Sequence, residues 1–134
     1  MTAAASTEYI NRFRPSQAEI DRRYANVRKA MAEHGIDYLV VSGSEYSGFE
    51  GAVRYLCGFH ILHRYAYVIV PLDADPVCVF PREATWVGDH AETFVRNREL
   101  PPHCGEWMAD YLKSKGAKKV GIYGLQYIIN VRDY

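Results

Sequence analysis

The sequence predicts a mixed α/β domain, a β-sheet with helices on its faces, and three observations carry that reading. Segments with apolar residues at helical spacing alternate with short continuous apolar runs; two of those runs are rich in β-branched and aromatic residues and joined by a Pro/Asp turn; Gly residues close the periodic segments.

Residues 1–15 are polar and mixed and end in Arg14-Pro15, so they read as an arm, with the domain proper at 16–134. Ser16-Gln17-Ala18-Glu19 has capping-box spacing: Ser16 accepts from the Glu19 amide while the Glu19 side chain reaches back. A helix follows, with Ile20, Tyr24, Val27, Ala30 and Met31 on one stripe, and His34-Gly35 closes it with Ile36 packing back on the last turn. Tyr38-Leu39-Val40-Val41 reads as a strand buried on both faces, and Ser42-Gly43-Ser44 as the turn that leaves it. The next segment is a loop and then a short helix through Ala52, Val53, Tyr55 and Leu56 that ends at Gly58. Tyr65–Val70 and Val77–Phe80 form a hairpin around the 71–76 turn. Arg82–His90 is expected to be a short helix, Thr93–Arg96 a short strand and Pro101-Pro102 a break. Trp107, Met108, Tyr111 and Leu112 mark a helix stopped at Gly116, Val120–Tyr123 a buried strand, and Gln126–Tyr134 the start of a last helix. That last apolar pattern, Ile128, Ile129 and Val131, stops without a cap, which is expected of an N-terminal domain cut from a longer chain.

A chain of 134 residues, 49% hydrophobic and 24% charged, suits one soluble domain with one core. Sixteen basic residues balance sixteen acidic ones, so no sequence-wide field draws the chain to nucleic acid or to an anionic membrane. The longest apolar run, Tyr65–Pro71, is far short of the roughly 18–20 residues of a membrane span. The N-terminus lacks the basic and apolar regions of a secretory signal, and a cytoplasmic setting is the expectation. Cys57, Cys78 and Cys104 are widely spaced and unpaired by any CxxC, which reads as three small buried hydrophobes. Tyr is over-used: eleven, against five Phe and two Trp, a bias common at wet interfaces.

Motifs for dinucleotides, P-loop phosphates, serine hydrolysis and zincin chemistry are missing. His60-Ile61-Leu62-His63 is an HxxH pair that would supply two metal ligands on a helix, but Gly58 and the following strand favour a loop. Ser42-Gly43-Ser44 would hold an anion on its amides if it were a βα turn. Glu45 and Glu83 are the carboxylates considered for acid or base work, though most such groups are solvated charges.

The residues also carry a family resemblance. Arg23-Tyr24-Ala25-Asn26-Val27-Arg28-Lys29-Ala30-Met31, continuing through Gly35-Ile36-Asp37 into the first strand, resembles the opening of the creatinase/prolidase N-terminal domain. Tyr55-Leu56-Cys57-Gly58-Phe59 resembles its Y-[LF]-[TCS]-G-[FY] landmark, and Tyr67–Pro71 with Asp75-Pro76 its strand-turn-strand. Ala52 stands where many members carry Asn. The resemblance spans residues 16–81 and implies a creatinase/prolidase-type sheet with a ribonuclease H-like motif.

It further implies a domain of Xaa-Pro aminopeptidases, Xaa-Pro dipeptidases, creatinase and relatives, hydrolases whose pita-bread catalytic domain lies beyond this chain. Peptidase members hold two divalent metals there, whereas this chain is expected to bind no cofactor or metal and to have no catalytic residue of its own. Its expected partners are its own C-terminal catalytic domain and a second subunit. By resemblance the loop after Gly58 lines a neighbouring subunit's substrate site, through Phe59, His60, Leu62, His63, Arg64 and Tyr65. Two rival readings are a stand-alone small-ligand module built on Ser42–Ser44 and the histidine loop, and a self-sufficient hydrolase built on Glu45, His60 or His63.

Overall fold

The computed structural model describes residues 14–45, 49–61, 64–82, 93–125, 129 and 133. Helices α1 (Gln17–Glu33), α2 (Gly51–Cys57) and α3 (Cys104–Ser114) surround strands β1 (Tyr38–Ser44), β2 (Tyr65–Pro71), β3 (Val77–Val79), β4 (Asn97–Glu99) and β5 (Val120–Tyr123). They form one five-stranded sheet in the order β4-β3-β2-β1-β5. The β1/β2 and β2/β3 pairs are antiparallel, and β1/β5 and β3/β4 are parallel. This is the predicted mixed α/β sheet.

The sheet is covered on both faces, which is why its central strands are continuous apolar runs. Ala66, Val68 and Val70 of β2 face α1 and α2 together with Val41 and Cys78. Tyr67 and Ile69 face the other way, against Val40, Val77, Val79 and the α3 residues Cys104 and Met108. All three cysteines are buried and unbridged.

The helix termini follow the sequence signals closely. The Ser16 hydroxyl accepts from the Glu19 amide at 3.2 Å. The reciprocal arm of the capping box is not made, because the Glu19 carboxylate is taken by Arg22 and Arg23 at 2.7 and 2.8 Å. Charge-assisted pairs outcompete a neutral amide for the same oxygens. Those guanidinium bonds hold the Glu19 carboxyl down to about 2. At the other end Gly35 adopts φ +65°, with Gly35 N donating to Ala32 O and Ile36 N to Met31 O, a Schellman closure.

Four expectations are corrected. Residues 42–44 are not a turn: they complete β1, paired with 65–67 of β2. Ser42 is fully buried and its hydroxyl donates to Tyr123 O at 2.6 Å, so no amide nest for an anion forms. The strand expected at 93–96 lies at 97–99, because Phe94 and Val95 are drawn into the core beside α2, Phe94 N donating to Cys57 O at 2.9 Å. The ladder then falls on polar residues, as edge strands tolerate. Finally, β5 is an exposed edge and not a buried strand: Ile122 and Tyr123 are 43% and 50% exposed. The helices expected over 82–90 and 126–134 lie outside the described residues, apart from 82, 129 and 133.

Candidate functional site: the rim loop after Gly58

The loop begins where α2 stops. Gly58 takes φ +79° and its N–H donates to Arg54 O at 2.8 Å, turning the chain out of the helix in a conformation that favours glycine. From there alternate residues anchor and display. Phe59 is buried against Phe80, ring centroids 4.9 Å apart and edge to face. His60 is exposed, and Ile61 returns to the core. Neither Gly43 nor its strand leaves slack beneath: a Cβ at Gly43 would sit 2.7 Å from Val53 Cγ2 and 2.9 Å from Ile61 Cδ1.

Glu50, the residue before α2, ties the loop down. Its Oε2 accepts from the Ile61 amide at 3.1 Å and lies 2.9 Å from His60 Nδ1. Arg54 Nη1 lies 3.7 Å from the other oxygen. At the far end of the loop Arg64 adopts φ +67°, the only left-handed non-glycine among the described residues. Two donors from the end of β1 fix its carbonyl there, Glu45 N at 3.1 Å and Ser44 Oγ at 3.3 Å. A long cationic side chain is thus carried on a backbone conformation that glycine adopts more easily. Tyr65 opens β2, half-buried, with its ring 5.5 Å from that of Tyr67.

Of the six residues expected to line a substrate site, Phe59 therefore sits in the core, while His60 and Arg64 are exposed and Tyr65 lies between. Leu62 and His63 lie outside the described residues, as does Glu83. Tyr55 does take a cation, but from α1: Arg23 stacks 4.5 Å from its ring and donates to its carbonyl at 2.9 Å. Glu50 was not singled out in the sequence, since it neighbours no motif and meets His60 only after the chain has passed through a whole helix.

Chemically the loop offers an imidazole, a guanidinium and a phenol, groups suited to contact and orientation. Among the described residues no three His, Cys, Asp or Glu side chains come together to hold a metal, and no helix is long and apolar enough to cross a membrane. At the opposite end of the sheet, α1 and the β4 edge enclose a cleft of about 480 Å³ walled by Arg28, Arg96, Asp75 and Tyr24.

A mixed α/β sheet domain is thus the class the geometry defines. The model of the Creatinase/Prolidase N-terminal domain matches residues 23–127, and the chain belongs to that family. No curated protein is similar to it in sequence. Among solved structures it is similar to an Xaa-Pro aminopeptidase from Streptococcus pyogenes (17% identity, TM-score 0.62, 80% of this chain and 75% of that one). It is similar also to the N-terminal domain of the cytoplasmic peptidase PepQ from Mycobacterium tuberculosis (19%, 0.62, 84% and 78%). A third is the Xaa-Pro dipeptidase from Bacillus anthracis (15%, 0.64), where the match covers 86% of this chain but 29% of that one. These likenesses establish the shared fold, including within chains several times longer.

Proposed function

We propose that this domain is the non-catalytic N-terminal part of an Xaa-Pro peptidase or creatinase-like hydrolase, joined to a C-terminal catalytic domain and paired in a homodimer. In this reading the rim loop of one subunit lines the substrate site of the other. The observation that carries it is the loop itself: Phe59 and Ile61 are anchored in the core while His60, clamped by Glu50, and Arg64 are held out at one end of the sheet. A loop organised to display an imidazole and a guanidinium is built for contact with a polar partner. Any divalent metal belongs to the catalytic domain, and the setting is cytoplasmic. The family membership and the fraction of the dipeptidase chain that this domain matches support the two-domain arrangement.

The test is kinetic. In the two-domain protein, His60→Ala and Arg64→Ala should raise KM for an Xaa-Pro dipeptide about tenfold or more, with kcat and folding little changed, as expected when about 1.4 kcal/mol of substrate contact is removed. Unchanged KM in both variants would refute the lining role. The stand-alone ligand module loses half its basis now that Ser42–Ser44 lies within β1.

A further inference from the structure

The cleft at the far end of the sheet from the rim loop has walls that are tied to one another. Arg28 of α1 donates from Nε to Pro71 O at 3.1 Å and from Nη2 to Ala74 O, so the helix grips the 71–76 turn. Asn97 of β4 donates from Nδ2 to Pro76 O at 3.3 Å, so the same turn is held to the edge strand. Three separate stretches of chain, α1, the turn and residues 94–97, therefore enclose a preformed space of about 480 Å³, within the range of small-molecule sites.

The lining divides by chemistry. Ile20, Tyr24 and Val95 are buried core residues that give the cleft an apolar floor, and half-buried Phe94, packed on the same core, extends it. Charge comes from Arg14, Arg28 and Arg96 against Asp21 and Asp75. Asp21 accepts from the Gln17 amide nitrogen at 2.9 Å, and Arg28, 5.4 Å from the Tyr24 ring centroid, is engaged with the turn. Arg14 and Arg96 are exposed, Arg14 reaching Gln17 Oε1 only at 3.5 Å. The cleft thus holds one guanidinium more than it holds carboxylates, in a chain whose formal charge is zero.

We propose that this cleft binds a small organic acid, a single carboxylate on an apolar body. Arg14 and Arg96 meet the carboxylate with paired N–H donors, and the body lies on the floor of Ile20, Tyr24, Phe94 and Val95. A monoanion matches the excess of one positive charge, whereas a phosphate monoester, at about −1.5 to −2 near pH 7, brings more charge than the cleft offsets. The site is separate from the rim loop and stands or falls without the reading proposed above.

The test is a titration of the ¹⁵N-labelled 134-residue chain followed by ¹H–¹⁵N correlation at pH 7. Three probes divide the chemistry: 2-naphthoate carries both head and body, 2-naphthol the body without the charge, and acetate the charge without the body. Naphthoate is expected to shift the amides of 75 and 94–97 saturably at concentrations up to about 5 mM, with naphthol and acetate each binding at least about tenfold more weakly. The double variant Arg14→Ala, Arg96→Ala should weaken naphthoate about tenfold or more, the scale of charge-assisted bonds. Both side chains are exposed and neither ties the walls together, so the variant keeps the wild-type fold, while Arg28, which does tie them, is left intact. No saturable shift with naphthoate, equal binding of naphthol or of acetate, or an affinity unchanged in the double variant would each overturn the site.

Discussion

Asp37 and Lys119, 82 residues apart in sequence, are joined by a reciprocal pair of bonds: the Lys119 amide donates to Asp37 Oδ1 at 2.8 Å and the Asp37 amide donates to Lys119 O at 3.0 Å. The second carboxylate oxygen takes the Lys118 amide at 2.8 Å. One side chain thus sets the register at which β5 enters alongside β1, with Tyr38 opposite Val120. The backbone donors of 118 and 119 hold the Asp37 carboxyl below the usual carboxylate range.

A carboxyl whose folded value is depressed contributes stability that is present above the unfolded value, about pH 4, and lost as pH falls through the folded one. Asp37→Asn should therefore melt a few degrees lower than wild type at pH 7 and show a smaller further loss on acidification below about pH 4. Thermal melts across that range check it, and parallel pH profiles would contradict it.

Tyr67 and Asp133 form a second long-range tie. The Tyr67 ring is fully buried, yet its hydroxyl reaches Asp133 Oδ2 at 2.7 Å, while Oδ1 takes the Gly105 amide at 3.0 Å at the start of α3. Tyr67→Phe should cost about 1.5–3 kcal/mol in a denaturant melt, the scale of a hydrogen bond to a charged group. Gly105→Ala should also destabilise, because its Cβ would lie 2.5 Å from the Asp133 backbone.

Arg64 is expected to behave in the opposite sense. At φ +67° an Arg pays a steric penalty that Gly does not, so Arg64→Gly should leave melting unchanged or raise it by a few degrees while it raises KM in the two-domain protein. A clear fall in melting temperature would show that the side chain is held for stability.

The thiols should be silent. Cys57 and Cys78 are fully buried and Cys104 is 2% exposed, and the neighbouring Cys57 sulfur together with burial pushes the Cys78 thiol up. Native protein should react with a thiol reagent only at the rate of unfolding, and all three sites should label at once in denaturant. Fast labelling of any one of them in the native state would contradict this burial.

What the sequence made legible was whatever rests on local spacing. Ser16, Gly35 and Gly58 mark helix ends through backbone rules that act within a few residues, and the buried runs of β1 and β2 announce a sheet covered on both faces. The loop after Gly58 was found by resemblance. Long-range contact was not legible: nothing near Glu50 signals His60, nothing near Asp37 signals Lys119, and Tyr67 gives no hint of Asp133. The apolar run of β5 was misread for the same reason. Hydrophobicity marks a strand, but whether a further element covers it depends on its place in the sheet, and β5 stands at the edge.

The claim that one subunit's rim loop completes the other's substrate site is tested most directly by mixing subunits of the two-domain protein. One partner carries an inactivated catalytic domain with an intact rim loop, and the other an intact catalytic domain with His60→Ala and Arg64→Ala. The account predicts that each is impaired alone and that the mixed dimer recovers a wild-type KM at its one working site. A mixed dimer whose KM stays at that of the His60→Ala, Arg64→Ala homodimer would contradict it.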